Sequence, residues 1–306
     1  MQYLIVGTGG TGGAIGGFLA ASNRDVTFIA RGEHLKAMKE NGLKIHSRRR
    51  GELEINPCDA QSMEEYQGTP DVIFVCVKSY SLPEVIPFLK RVATKETFII
   101  PIQNSMLGLG QEIAKEMPGY QVMDGCIYIV SYVSAPGEIT QSSTIFRVMF
   151  GTIDHHFEPK LHIVSADMDE CGISAIVADN IQLENLRKFS SVSPMAAIGS
   201  FYDVPVGVWR TTPEMRADFV AAMKEIMEIS KAMDLALGEY DIDLNLHMID
   251  DVTPDTTVSM QKDLKKGGSS EIDALIFEVV RAGRRYGIPT PVYEKVAKKF
   301  GFEMEE

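Results

Sequence analysis

The sequence predicts an α/β protein in which a doubly wound, mostly parallel sheet is followed by an all-helical domain. Three observations carry this expectation. Apolar runs alternate with helical patterns through the first half, a glycine cluster separates the first run from the first helix, and a helical period dominates after Glu158. Strands that are apolar throughout belong to parallel sheets covered on both faces, whereas half-exposed strands alternate apolar with polar residues.

Taken in order, residues 3–6 form the first strand, and Gly7-Thr8-Gly9-Gly10-Thr11-Gly12-Gly13 turns the chain into a helix that includes residues 14–20. Residues 26–30 form the second strand and complete a βαβ unit, and residues 31–35 open a further helical stretch. Additional strands are expected at 43–45, 53–55, 72–77 and 98–102. From 121 to 151 the pattern shortens into β-like pieces around a Pro136-Gly137 turn, expected to extend the sheet with antiparallel strands. Helical patterns then cover 161–172, 183–200, 213–237, 259–266, 271–286 and 291–300. The boundary falls where the apolar piece 173–177 ends, giving domains at 1–180 and 181–306; a chain of 306 residues has the length for two cores.

Composition narrows the function classes. Thirty basic against 42 acidic residues give a net charge of −12, which disfavours general attraction to nucleic acid and requires any anionic ligand to be met by a local basic pocket. The four cysteines, Cys58, Cys76, Cys126 and Cys171, are scattered, without metal-site or paired spacing, so a reduced, cytoplasmic protein is expected. His155, His156 and His162 lack partners at ligand spacing, so no metal is expected. No apolar stretch is long enough for a membrane span. Met215, Met223, Met227 and Met233 fall in one helical pattern and read as packing.

The glycine turn supplies the first functional signal. In Gly7-x-Gly9-x-x-Gly12 the first glycine permits the tight turn, the second admits a pyrophosphate to the backbone, and the third allows close packing of helix on strand. The helix N-terminus then offers unpaired N–H groups and the positive end of a dipole to phosphate. A Rossmann-type dinucleotide site is expected, with Gly7, Thr8, Gly9, Gly10, Thr11 and Gly12 around the phosphates. The second strand ends at Ala30-Arg31 and lacks the terminal carboxylate that would accept from a free ribose hydroxyl. A guanidinium pairs with a 2′-phosphate, so NADPH is favoured over NADH; the alternative leaves Arg31 on the surface and gives the ribose to Glu33.

The glycine turn and Asp25-Val26-Thr27-Phe28-Ile29-Ala30-Arg31-Gly32 together resemble the opening of the ketopantoate reductase (2-dehydropantoate 2-reductase) family. Further segments agree in order: Val75-Cys76-Val77-Lys78-Ser79-Tyr80, Ile102-Gln103-Asn104-Ser105-Met106, Lys188-Phe189, Pro205-Val206-Gly207, and Ser259 with Glu271 twelve residues on. The resemblance spans essentially the whole chain. It implies NADPH-dependent reduction of a small, anionic, branched 2-oxo acid, with ketopantoate to pantoate, a step toward pantothenate, as the leading reaction. It implies that Lys188 polarises the carbonyl and supplies the proton, that Asn104 positions cofactor and substrate, and that Lys78 supports the same cleft. Glu271 and Ser259 would orient the substrate, and the family includes monomers and dimers.

Ketone reduction needs hydride, a proton for the developing alkoxide and a hold on the carboxylate, and these residue types can supply the last two. Each has a plainer reading: Lys188 as a surface lysine, Glu271 and Ser259 as helix-start residues, Asn104 as a turn residue. The family's asparagines four and eight residues after the lysine are replaced by Val192 and Ala196, so recognition is expected to shift to neighbours such as Ser193, or the substrate differs. Two other readings stand beside this one. A hydroxyacid or sugar-acid dehydrogenase would carry Lys-x-x-Asn, where this chain has Ser191, and a non-catalytic NADPH sensor would bind without turnover.

Overall fold

The computed structural model describes residues 1–303 apart from Ala236 and Gly268. The chain divides into two compact units, one comprising Met1–Gln103 and Gly108–Glu184, the other Asn104–Leu107 and the chain from Asn185 onward. The short 104–107 segment thus groups with the helical unit although its neighbours in sequence belong to the sheet.

The first unit holds an eight-stranded sheet in the order β12-β11-β8-β7-β6-β1-β2-β5. Its strands are β1 (Gln2–Val6), β2 (Asp25–Ile29), β5 (Ala60–Gln61), β6 (Val72–Val75), β7 (Phe98–Pro101), β8 (Gln121–Tyr128), β11 (Arg147–Thr152) and β12 (Ser174–Val177). All neighbours run parallel except β8 and β11. Helices α1 (Gly10–Ala20), α2 (Gly32–Asn41), α3 (Leu82–Val92), α4 (Gly110–Glu116) and α5 (Pro159–Glu170) accompany it. Strands β1 and β6 are buried along almost their whole length, as expected of covered parallel strands. After β1 the chain passes to β2 on one side and later to β6 on the other. The carboxyl ends of β1 and β6 therefore form the topological switch point where ligands of open α/β sheets bind.

One expectation is corrected here. Residues 43–55 and the middle of 121–151 do not all join the main sheet: β3 (Leu43–Ser47), β4 (Gly51–Ile55), β9 (Ser131–Ala135) and β10 (Glu138–Gln141) form a separate four-stranded sheet, ordered β4-β3-β10-β9. The reason is visible in β3, where Leu43 and Ile45 are buried while Lys44 between them is exposed, the alternation of a sheet with one wet face. This second sheet packs on α1, which is buried on every side from Gly12 to Leu19. Glycines make that possible. A Cβ on Gly16 would strike the Phe28 ring of the main sheet, and one on Gly13 would lie 2.8 Å from Ile139 of the second sheet.

The second unit is helical: α6 (Ile181–Tyr202, from Asn185 on), α7 (Val206–Trp209), α8 (Pro213–Ala232), α9 (Glu239–Asp251), α10 (Ser259–Lys265), α11 (Glu278–Tyr286) and α12 (Pro291–Lys299). A π-helical turn, Asp273–Phe277, leads into α11. The span expected to be helical from 213 to 237 ends at Ala232, Asp234 taking a positive φ, and Ala236 lies outside the described residues. Met223 and Met227 are buried in the core beside Phe219, whose ring lies 4.8 Å from that of the buried Trp209. Glu225, also buried, accepts from the N–H groups of Val292 (2.8 Å) and Tyr293 (3.2 Å) and so caps α12. Burial outweighs these two bonds and pushes its carboxyl up to about 7. Among the described residues no helix is long and apolar enough to cross a membrane.

Candidate active site

The turn after β1 is held by the end of β2. The Gly7 and Thr8 N–H groups and the Thr8 hydroxyl all donate to the Ile29 carbonyl, at 3.2, 3.1 and 3.0 Å. Gly7 adopts φ +95°, where a side chain is strained, and a Cβ there would also come 2.8 Å from Val77 Cγ1. At Gly12 a Cβ would collide with the Gly7 carbonyl and lie 2.9 Å from Ile5, so this glycine sets the closeness of helix and strand. Gly10 faces the second sheet, 2.5 Å from the Ser131 carbonyl as measured from an added Cβ. Only Gly9 among the turn's glycines looks onto open space: nothing lies within 4 Å of where its Cβ would be. It is the N-cap of α1, whose first turn has no acidic residue and no side-chain cap. Unpaired N–H groups, a helix dipole and an unobstructed Gly9 fit a pyrophosphate. Thr8 is buried and Thr11 half-buried beside it.

Arg31 follows β2 as the N-cap of α2. Its side chain is 86% exposed, with a guanidinium nitrogen 4.0 Å from the carboxylate of Glu84, itself exposed, a pair of little energetic weight. Lys78, half-buried, stands at the start of the 3₁₀ turn Ser79–Ser81 that follows β6. Cys76, just before it, is pushed up to about 12 by burial and is a poor nucleophile. Sequence reasoning gave no role to Gln103. Its amide nitrogen donates to the carbonyls of Val75 and Val77, both at 3.1 Å, while its buried Oε1 has no partner among the described residues. Its place in the Gln103-Asn104 turn was the available signal.

In the helical unit, the structure brings together two of the residues singled out from sequence. The Lys188 Nζ donates to Asn104 Oδ1 at 2.8 Å, across 84 positions of sequence, and Lys188 is only 9% exposed. This excludes the surface-lysine reading. Within α6 the Ser191 hydroxyl donates to the Lys188 carbonyl at 2.8 Å and the Ser190 hydroxyl to the Arg187 carbonyl at 2.7 Å. From α9, Asn245 donates to the Ser190 hydroxyl at 3.0 Å, and Asp241 lies 3.3 Å from the Arg187 guanidinium. Glu271 is 4% exposed, so it is no solvated helix residue, and the π-helical turn begins two residues after it. Ser259 is exposed as the first residue of α10.

Ser193 is a correction. It is completely buried, and its hydroxyl bonds the Leu275 carbonyl at 2.6 Å and the Tyr293 hydroxyl at 2.5 Å. A hydroxyl so engaged joins three helices and is not available to a ligand. Val192 is half-buried and Ala196 buried. Asn185, one turn before Lys188 and absent from the sequence expectations, is 3% exposed with neither amide atom partnered among the described residues.

Family models for ketopantoate reductase PanE/ApbA match residues 3–155, and for its C-terminal domain residues 180–301. The chain is similar to an uncharacterised oxidoreductase, YkpB, of Bacillus subtilis, with 26% identity over 97% of this chain and 96% of that one. It is 28% identical to the 2-dehydropantoate 2-reductase of Aquifex aeolicus, over 97% and 95% of the two chains. Its fold matches a 2-dehydropantoate 2-reductase from Geobacter metallireducens with TM-score 0.90 at 22% identity, covering 97% of this chain and 98% of that one. It also matches a D-mandelate dehydrogenase solved with NADH and anilino(oxo)acetate, with TM-score 0.88 at 22% identity and coverage of 97% and 96%. The open glycine turn, the buried lysine and the two matched models lead to one conclusion: the chain belongs to the ketopantoate reductase PanE/ApbA family of oxidoreductases.

Proposed function

We propose that the protein reduces a small branched 2-oxo acid with NADPH, ketopantoate to pantoate being the leading reaction. The observation that carries this reading is the buried Lys188 ammonium bonded to Asn104. A desolvated cation held in one orientation is what a ketone needs where negative charge develops on its oxygen. When bound, the nicotinamide supplies the hydride.

The chain's own residues do the rest. Gly9 and the first N–H groups of α1 hold the pyrophosphate, and Arg31 with the N-terminus of α2 holds the 2′-phosphate. Lys78 adds positive charge after β6. An ammonium has three N–H donors; Asn104 takes one, which fixes the direction of the others. One N–H bonds the carbonyl oxygen, and as the alkoxide forms its proton moves from Lys188 Nζ to that oxygen. Glu271 and Ser259 orient the substrate, Ser259 from the start of α10. Low water access around Lys188 strengthens its bond to the carbonyl oxygen.

The test is absorbance loss of NADPH with a panel of branched and aryl 2-oxo acids, the aryl members included because of the fold likeness to D-mandelate dehydrogenase. Turnover of ketopantoate at kcat/KM of about 10⁴ M⁻¹s⁻¹ or more supports the reading. No turnover of any member, with NADPH binding intact, refutes it.

A further inference from the structure

The helix that carries Lys188 also carries a side chain with no structural employment. Asn185 is 3% exposed, and both its amide nitrogen and its amide oxygen lack a hydrogen-bond partner among the described residues. A buried amide in that condition forfeits hydrogen bonds at both ends, and natural sequences keep such a group when something else satisfies it. At 100° per residue, positions 185, 188, 192 and 196 fall within about 80° of arc on α6. On that face Val192 and Ala196 offer no hydrogen bond, so Asn185 is the amide that accompanies the Lys188 cation. The two residues are i and i+3 neighbours on the helix surface, whose Cβ atoms lie about 5–6 Å apart.

The chemistry of a fitting partner can be read from the amide. A carboxylate or carbonyl only accepts and would leave Oδ1 orphaned; an ammonium only donates and would leave Nδ2 orphaned. A hydroxyl both donates and accepts, and can close a six-membered ring with the two amide ends. We propose that Asn185 is a specificity-determining residue of this enzyme, selecting 2-oxo acids that carry a hydroxyl beyond the carbonyl over the same acids without it. This rests on the reading of the protein as a 2-oxo acid reductase and adds to it the polar group that the site selects.

The experiment uses a matched pair of substrates, ketopantoate and trimethylpyruvate, which differ only by the hydroxyl. With the full-length enzyme and saturating NADPH, the wild type favours ketopantoate by about 10²-fold or more in kcat/KM, because the unhydroxylated acid leaves the amide unpaired. In Asn185→Leu, a substitution of similar volume, the preference falls below about tenfold. The change appears mainly as a raised KM for ketopantoate, with the NADPH dissociation constant unchanged. Asn185→Ala serves in the same way should the leucine disturb packing. If instead an internal water or packing alone explains Asn185, either variant shifts the melting temperature but leaves the substrate preference within twofold of wild type, which overturns the proposal. Wild-type turnover without any preference for the hydroxylated acid also overturns it while sparing the reductase reading. Absence of turnover with both acids and the rest of the panel overturns both.

Discussion

Replacing Gly9 and Gly12 singly with alanine separates binding from folding within one four-residue stretch. At Gly12 the new methyl would collide with the Gly7 carbonyl and stand 2.9 Å from Ile5 Cγ2 and 3.0 Å from Cys76 Cβ. Comfortable carbon contacts need about 3.5–4.0 Å, so α1 must retreat from the sheet by about 0.5–1 Å. Overpacking of this kind costs about 1–3 kcal/mol, and for a unit of this size lowers the melting temperature by about 3–10 °C. At Gly9 the methyl meets nothing within 4 Å, and φ −84°, ψ −162° is extended backbone open to any residue. Loss of a favoured N-cap costs less than about 1 kcal/mol. The same methyl would fill the approach of a pyrophosphate to the first turn of α1, and a loss of at least tenfold in NADPH affinity, about 1.4 kcal/mol, is expected. Differential scanning fluorimetry and NADPH fluorescence titration read the two quantities on the same samples. Gly9→Ala binding NADPH as tightly as wild type would remove the phosphates from this helix. An unchanged melting temperature for Gly12→Ala would refute the close-packing account.

Four further outcomes are expected. Lys188→Ala should lower kcat by about 10²–10⁴-fold while the NADPH dissociation constant, measured by titration, moves less than threefold. Arg31→Ala should weaken NADPH at least tenfold and leave NADH unchanged; no change in the affinity for either would remove Arg31 from the 2′-phosphate. Glu225 has its carboxyl raised from 4.5 to about 7, so the stability it contributes is fully present below pH 4.5 and is lost as pH rises through 7. Its 8% exposure leaves the full effect near 3 kcal/mol, and Glu225→Gln should flatten urea midpoints between pH 5 and 8, followed through the emission of the buried Trp209. Asp167 accepts from Tyr3 Oη at 2.6 Å and from Arg24 Nε, tying α5 to the first strand and its helix turn. Asp167→Ala should therefore lower stability by about 2 kcal/mol in thermal denaturation, and a loss under 0.5 kcal/mol would show the network to be idle.

What the sequence revealed follows from where its signals are local. The glycine turn is legible because strand, turn and helix are contiguous, and each glycine answers to a neighbour within a few residues or to open space. The continuous apolar strands β1 and β6 announce a covered sheet for the same reason. Helix α9 escapes because Tyr240, Ile242, Leu244, Leu246 and Met248 alternate with polar residues, a period of two that conceals the buried pair Ile242 and Ile249. The second sheet escapes because β3 pairs with β10, more than 90 residues later. At the site, residue types were readable but their company was not. The pairing of Lys188 with Asn104 is non-local, and Ser193 beside Val192 looks available until Tyr293, 100 residues away, takes its hydroxyl. Asn185 carries no motif; only its burial without partners distinguishes it.

The position of α1 between two sheets also sets an order of events during synthesis. A helix with no wet face has nowhere to rest until both of its partners exist, and β10 ends at Gln141. A ribosome that has released only β1, α1 and β2 has therefore made every glycine of the phosphate turn without making the site. Cofactor capture must wait for nearly half the chain, and nascent chains cut short of β10 should expose an apolar, glycine-faced helix that chaperones would hold.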